Sequence, residues 1–322
     1  MDTSTNKHTF SEATKIRRED SVWKGHVHEG FSVGTVPNGG YLTSIIINAL
    51  EADQLEKVKA KTDSKKDLIN LTLFFLRPGL PGEDCEVEVE EIKRGKTTSV
   101  ISCTFSQQNK FRIKGFAIFG NFQEANNSDI PKWVSKRIPI PSSSLSLKEY
   151  KAKRPEKMEG VAQSVERHIF SRYRWFLSDE EAKKLDSVFT KEKLKGFSDS
   201  MEDPGFLCYV SLEHDEDITP AVLGSIGDAC IPCIKLLDPQ NDLWLPSLQY
   251  NLQFYGPESD KGAPKKVLCR YITHSADNGF MLEDCDIVDA QSGKLLCCSR
   301  QSALAGGLGQ KPATKSVTKN KL

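Results

Sequence analysis

Val36-Pro37-Asn38-Gly39-Gly40-Tyr41-Leu42-Thr43-Ser44-Ile45-Ile46-Ile47-Asn48-Ala49-Leu50 runs a tight Asn-Gly-Gly turn straight into an apolar helix. Two glycines free the backbone to turn and let another surface come close. Tyr41, Leu42, Ile45, Ile46, Ala49 and Leu50 then recur at three- and four-residue spacings, and Ile47 widens the stripe until most sides are apolar. Such a helix must be buried. The residues that follow supply the means: Leu71, Leu73 and Phe75 alternate, as do Val87 and Val89, and further runs extend from Val100 to Phe105 and from Phe111 to Phe119. Pro78–Gly82, Arg94-Gly95 and Gln107–Asn109 separate them as turns. A buried helix followed by a meander of antiparallel strands is an α+β unit with the sheet wrapped around the helix.

The pattern occurs twice. Leu73, Phe75 and Pro78 align with Leu252, Phe254 and Pro257; Lys93-Arg94-Gly95 aligns with Asp277-Asn278-Gly279; Lys114–Gly120 aligns with Arg300–Gly306. The offset grows in one direction along the chain, as expected for two copies of one fold separated by insertions. The second copy also carries a helix-prone run, Ala221 to Leu237, in which Gly227 and Asp228 suit a turn into a helix and Asp228 can cap exposed amides. Pro232 then demands a kink or a different start. The expected organisation is a first unit over 1–125, a charged helical connector over 126–217, a second unit over 218–306 and a flexible basic tail over 307–322.

Composition narrows the function. Lys plus Arg equals Asp plus Glu at 44 each, giving no net charge and no extended nucleic-acid surface. Arg167, Arg172 and Arg174, interleaved with Phe170, Tyr173, Trp175 and Phe176, therefore read as connector aromatics laid on a domain rather than as a base-stacking surface. No membrane span is expected, because the longest apolar stretch is interrupted by Thr43, Ser44 and Asn48. The first residues lack the apolar run of a secretory signal. Nine cysteines, mostly within apolar runs, indicate reduced and buried thiols. Cys230 and Cys233 have redox-pair spacing without a thioredoxin-like context. His26 and His28 share one strand face, but the sequence places no carboxylate or third imidazole beside them.

Pro37–Leu42, Arg77-Pro78-Gly79, Arg94-Gly95-Lys96 and Ser299-Arg300-Gln301, in this order and with the duplication, resemble the acyl-CoA thioesterase II-like proteins. The resemblance implies a double hotdog fold, two repeats each with an antiparallel sheet around a central helix. It implies hydrolysis of acyl-CoA or a similar thioester to a carboxylic acid and a free thiol, with no metal or redox cofactor. In that family the second repeat supplies an Asp, a Ser or Thr, and a Gln that orient a water; these fall on Asp228, Ser247 and Gln301. The chemistry is coherent: a carboxylate accepts a proton from water, while an amide and a hydroxyl fix that water without changing charge. Asn38, Gly39 and Gly40 are expected to bind substrate, their backbone amides meeting the developing oxyanion at a helix N-terminus.

In the first copy the position of Gln301 is held by Gly115, and the helix begins without a carboxylate, so the polar set belongs to one copy alone. Each residue also has a structural reading: Asp228 as a helix cap, Gln301 as an outward strand residue beside Arg300. Many family members carry Leu-Asp-His after the hydroxyl where this chain has Leu248-Gln249-Tyr250, which leaves room for an acyl-thioester-binding or scaffold protein without turnover. A hotdog hydratase would need His five residues after Asp228, where Cys233 stands. Expected partners are a thioester substrate and a second copy of the chain. Asn320-Lys321-Leu322 is a relaxed form of the Ser-Lys-Leu peroxisomal address, so the expected location is peroxisomal or cytoplasmic.

Overall fold

The computed structural model describes residues 8–126, 138, 147–150, 169–190, 204–239, 244–256 and 262–305. The first half contains β1 (Ile16–Glu19), β2 (Val22–His26), a short pair β3 (Ser32–Val33) and β4 (Val36–Pro37), a long helix Gly39–Lys59, and β5 (Asp67–Phe75), β6 (Asp84–Arg94), β7 (Ser99–Gln107) and β8 (Lys110–Gly120). The second contains β9 (Lys148–Tyr150), β10 (Tyr173–Leu177), β11 (Gly205–Leu212), a short helix Pro220–Ile226, and β12 (Ser247–Phe254), β13 (Val267–Asp277), β14 (Phe280–Asp289) and β15 (Leu295–Leu304).

All but β3 and β4 form one 13-stranded sheet in the order β1-β2-β6-β7-β8-β5-β12-β15-β14-β13-β11-β10-β9. Reading outward from the centre, β5, β8, β7, β6 and β2 are matched by β12, β15, β14, β13 and β11. The duplication is thus a property of the topology: this is an α+β double hotdog. The halves meet where β5 and β12 pair antiparallel, with Leu71 opposite Leu252.

The first half of the long helix is buried nearly all round, Tyr41, Leu42, Ile45, Ile46, Ile47, Ala49 and Leu50 being at most 2 % exposed. Its breadth of apolar surface is explained by its neighbours: sheet on one side, the short helix of the other half on another. Asn38 caps it, its Oδ1 accepting from the Tyr41 N–H at 2.9 Å. Gly39 and Gly40 are helical residues, and neither has the positive φ a sharp glycine turn would show. What Gly40 supplies is proximity: an added Cβ would stand 2.8 Å from the Ser225 carbonyl oxygen and 2.9 Å from the Asp228 Cβ.

Two expectations require correction. Residues 126–217, expected as a charged helical connector, contribute β9, β10 and β11 to the sheet, and among the described residues a helix spans Asp179–Thr190. The aromatics explain why: Tyr173, Trp175 and Leu177 alternate inward into the core while Arg174 points out, a strand pattern hidden in a charge-rich composition. Arg172 is buried too, its Nε donating to the Gly30 carbonyl at 2.7 Å. Second, the helix of the second half lies before Asp228 rather than after it. Thr219 caps it, Pro220 occupies its first turn, and it ends at Ile226. Beyond it Pro232, which has no N–H to donate, precedes only a 3-10 turn, Cys233–Leu236. The tail over 307–322 and the Pro131–Pro141 linker, apart from residue 138, lie outside the described residues. Among the described residues no helix is long and apolar enough to cross a membrane.

Candidate active site

Between the two halves lies a cleft of about 450 Å³, walled largely by apolar side chains including Leu42, Phe75, Ile231, Trp244, Met281 and Leu304. Asp228, Ser247, Gln301, Asn38 and Gly39 also line it. The sequence-predicted residues are therefore brought together from four elements: the turn after the short helix, the start of β12, the end of β15 and the N-terminus of the long helix.

Asp228 is the hub. Its Oδ2 accepts from the Gly40 N–H at 2.7 Å and the Asn38 side-chain amide at 3.1 Å, while Oδ1 accepts from Gln301 Nε2 at 2.9 Å. The same Gln301 nitrogen donates to Ser247 Oγ, closing a chain from carboxylate to amide to hydroxyl. Asn38 Nδ2 also donates to the Asp228 carbonyl at 2.9 Å. Asp228 does cap a helix, but the helix belongs to the other half. Burial raises its carboxyl to about 6, against the pull of the Gly40, Gln301 and Asn38 hydrogen bonds, which favour the ionised form. The positive end of the long helix adds to that pull.

Gln301 faces inward, buried with Ser299 and Ala303, while Arg300 points outward and grips Asp284 through two nitrogens at 2.8 and 2.7 Å. The outward reading of Gln301 is thereby excluded by strand alternation. Its counterpart, Gly115 on β8, has no room for any side chain, since an added Cβ would collide with the Thr72 carbonyl oxygen. The asymmetry between copies is steric.

The expected amide cradle at Asn38, Gly39 and Gly40 is only partly open. The Gly40 N–H and the Asn38 side chain are committed to Asp228. Gly39 lines the cleft, and its N–H, the first of the helix, has no acceptor among the described residues. Ser247 pairs with Ala303, and Leu248 also lines the cleft. Tyr250, in the stretch that departs from Leu-Asp-His, is buried with its hydroxyl donating to the Gly224 carbonyl at 3.0 Å, so it supports the short helix rather than the cleft.

Sequence reasoning missed Glu283. It lies on β14 directly opposite Gln301 and opposite Thr273 of β13, buried in the cleft wall. Its Oε2 accepts from the Cys233 N–H at 2.7 Å and from Thr273 Oγ1 at 2.8 Å. Burial raises it to about 7, and the Asp228 charge adds to the rise. The signal was present: Met281, Glu283, Cys285 and Ile287 share the inward face, so a carboxylate interrupts an otherwise apolar alternation.

The other candidate clusters are less apt. Burial pushes the Cys230 and Cys233 thiols well above their ordinary value, which disfavours the thiolates redox or zinc chemistry needs. The fold does bring a third imidazole and a carboxylate to His26 and His28: His26 Nδ1 lies 2.8 Å from Asp84 Oδ1, and the His8 and His28 rings are 4.2 Å apart. Even so, no three such groups among the described residues are placed to hold a metal ion.

Residues 27–120 match the family model of the acyl-CoA thioesterase N-terminal domain, and residues 150–305 match that of the acyl-CoA thioesterase C-terminal domain. No curated protein matches the chain. Among solved structures it is similar to a candidate thioesterase II from Thermobifida fusca YX, at 19 % identity and TM-score 0.69, covering 92 % of this chain and 97 % of that one. A hot dog fold protein of unknown function from Alicyclobacillus acidocaldarius is 15 % identical with TM-score 0.67, over 95 % of this chain and 100 % of that one. The acyl-CoA thioesterase II TesB2 of Mycobacterium marinum is 14 % identical with TM-score 0.58, over 95 % of this chain and 99 % of that one. At these identities the structural likenesses speak for the fold.

Proposed function

Since the chain belongs to the acyl-CoA thioesterase family and is a thioester hydrolase, we propose that it cleaves acyl-CoA at the cleft between its halves, with Asp228 as general base and Ser247 and Gln301 as the groups that orient the water. The observation that carries this reading is the unbroken hydrogen-bonded chain from Asp228 through Gln301 to Ser247 at the wall of an apolar cleft.

In the proposed mechanism the acyl chain lies against the apolar wall and places its thioester carbonyl beside the chain of polar groups. Ionised Asp228 takes one proton from the water as its oxygen bonds to the carbonyl carbon. The carbonyl oxygen, now negative, meets the Gly39 N–H and the positive end of the long helix. Collapse of this intermediate breaks the C–S bond, and the proton held by Asp228 passes to the departing thiolate. The products are a carboxylic acid and a thiol, with no electron transfer.

The test is thiol release from acyl-CoA substrates of increasing chain length. Wild-type protein turns over at least one of them. Gln301→Ala lowers kcat by about 10²-fold with little change in folding, an effect in the range of a lost orienting or general-base interaction. A wild-type protein that binds a thioester without hydrolysing it would overturn the proposal. Because Asp228 acts ionised and its carboxyl sits near 6, kcat/KM falls about tenfold per pH unit below that value. A profile that stays flat down to pH 4.5 would rule out Asp228 as the base.

A further inference from the structure

We infer that Glu283 is a substrate-binding residue of this site, which in its neutral form donates a hydrogen bond from Oε1 to an acceptor oxygen of the bound thioester. The inference rests on the reading of the cleft as a thioester site. It adds a residue at which none of the motifs of the sequence pointed.

The geometry assigns the proton. Two donors, the Cys233 N–H and the Thr273 hydroxyl, converge on Oε2, and the Cys233 thiol adds a weaker hydrogen bond to the carboxyl. An oxygen that already accepts two hydrogen bonds is the poorer place for a proton, so the neutral carboxyl carries its proton on Oε1. Glu283 lines the same cleft as Asp228 and Gln301, so a proton on its carboxyl adds a donor to a wall made mostly of apolar groups. The thioester carbonyl is an acceptor and not a donor. A protonated Glu283 complements it; an ionised one repels it.

The surroundings favour the neutral form up to about pH 7. Asp228 lines the same cleft, and its negative charge opposes a second ionisation there. The turn that holds Asp228 also carries the Cys230 and Cys233 thiols, both held neutral by burial, and Lys235, which lines the cleft. On the neighbouring strands the facing groups are Thr273 and Gln301, both uncharged, while Asp284 and Arg300 pair with each other on the outer face. With its carboxyl at about 7, Glu283 passes from mostly neutral to mostly ionised between pH 6 and pH 8.

The experiment measures binding, so that it does not depend on turnover. The probe is an oxoalkyl thioether of pantetheine, in which a methylene separates the carbonyl from sulfur; it cannot be hydrolysed as a thioester and has no phosphate to titrate. Its affinity for wild-type protein, followed by calorimetry, weakens about tenfold from pH 6 to pH 8, in step with the neutral fraction of Glu283. Glu283→Gln keeps an acceptor for Cys233 and Thr273 and presents an amide donor to the cleft. It loses most of that dependence and binds as tightly at pH 8 as wild type does at pH 6. Glu283→Met, which has no donor, binds weakly at both values. An affinity independent of pH in the wild type, or a Glu283→Gln variant that weakens as the wild type does, overturns the inference and leaves the hydrolytic reading intact. No binding at any pH overturns both.

Discussion

Asp228→Asn lowers kcat by about 10³-fold and at the same time makes the folded protein more stable above pH 7. The two effects share one cause. Burial raises the Asp228 carboxyl from 3.8 to about 6, so the folded chain binds that proton more tightly than the unfolded chain does. The associated stability is complete below pH 3.8 and is lost as the pH rises through 6. At pH 8 the loss is on the order of 1–3 kcal/mol. An asparagine does not ionise and escapes it, while keeping a carbonyl oxygen that can accept from Gly40 or Gln301. Denaturant unfolding at pH 8 and pH 4, run beside thiol release, checks both parts. The variant gains stability at pH 8 and little or none at pH 4. An Asp228→Asn protein with wild-type kcat would remove Asp228 from the mechanism, whatever its stability.

Gly40→Ala is expected to have the opposite sign in stability and a comparable sign in activity. In an ordinary helix, alanine is favoured over glycine by up to about 1 kcal/mol. Here the new methyl would meet the Ser225 carbonyl oxygen at 2.8 Å and the Asp228 Cβ at 2.9 Å. Neither neighbour is the free end of a flexible side chain. Overpacking of this kind costs about 1–3 kcal/mol, which outweighs the helix gain, and relief requires the Asp228 turn to move away. That movement breaks the 2.7 Å bond from the Gly40 N–H and carries the carboxylate away from Gln301. The variant unfolds at lower denaturant concentration and loses most of its kcat even where it is folded. Retained activity together with retained stability would show that the two halves are not pressed together at this point.

The sequence carried much of this because hotdog architecture is written in local patterns. The apolar breadth of Tyr41–Leu50 demanded burial, and the strand runs after it supplied the cover. The repeat predicted equivalent strands, which the order of the sheet shows. Other parts were hidden for physical reasons. Tyr173, Trp175 and Leu177 alternate over only five residues inside a charge-rich segment, too short for periodicity to outweigh composition. Asp228 reads locally as the cap of a helix following it, because a helix start is a local signal; that it caps the long helix of the other half is a contact across 188 positions. Glu283 is faint in the sequence because its only mark is one carboxylate in an otherwise apolar alternation on β14. The short motifs located Asp228, Ser247 and Gln301 in the sequence, whereas their mutual hydrogen bonds needed the fold.

The bond between the Gly40 N–H and Asp228 also bears on how such a chain can evolve. Two identical hotdogs would build two equal reaction centres, each borrowing a helix end from its neighbour. Joined in one polypeptide, the copies are free to specialise: one keeps the helix end, the other keeps the acid and amide, and the position equivalent to Gln301 is Gly115, with no room for a side chain. In the proposed mechanism the reaction centre is therefore shared between the halves. Neither half produced alone would hold a complete one, and a damaged helix end in the first half would silence an intact carboxylate in the second.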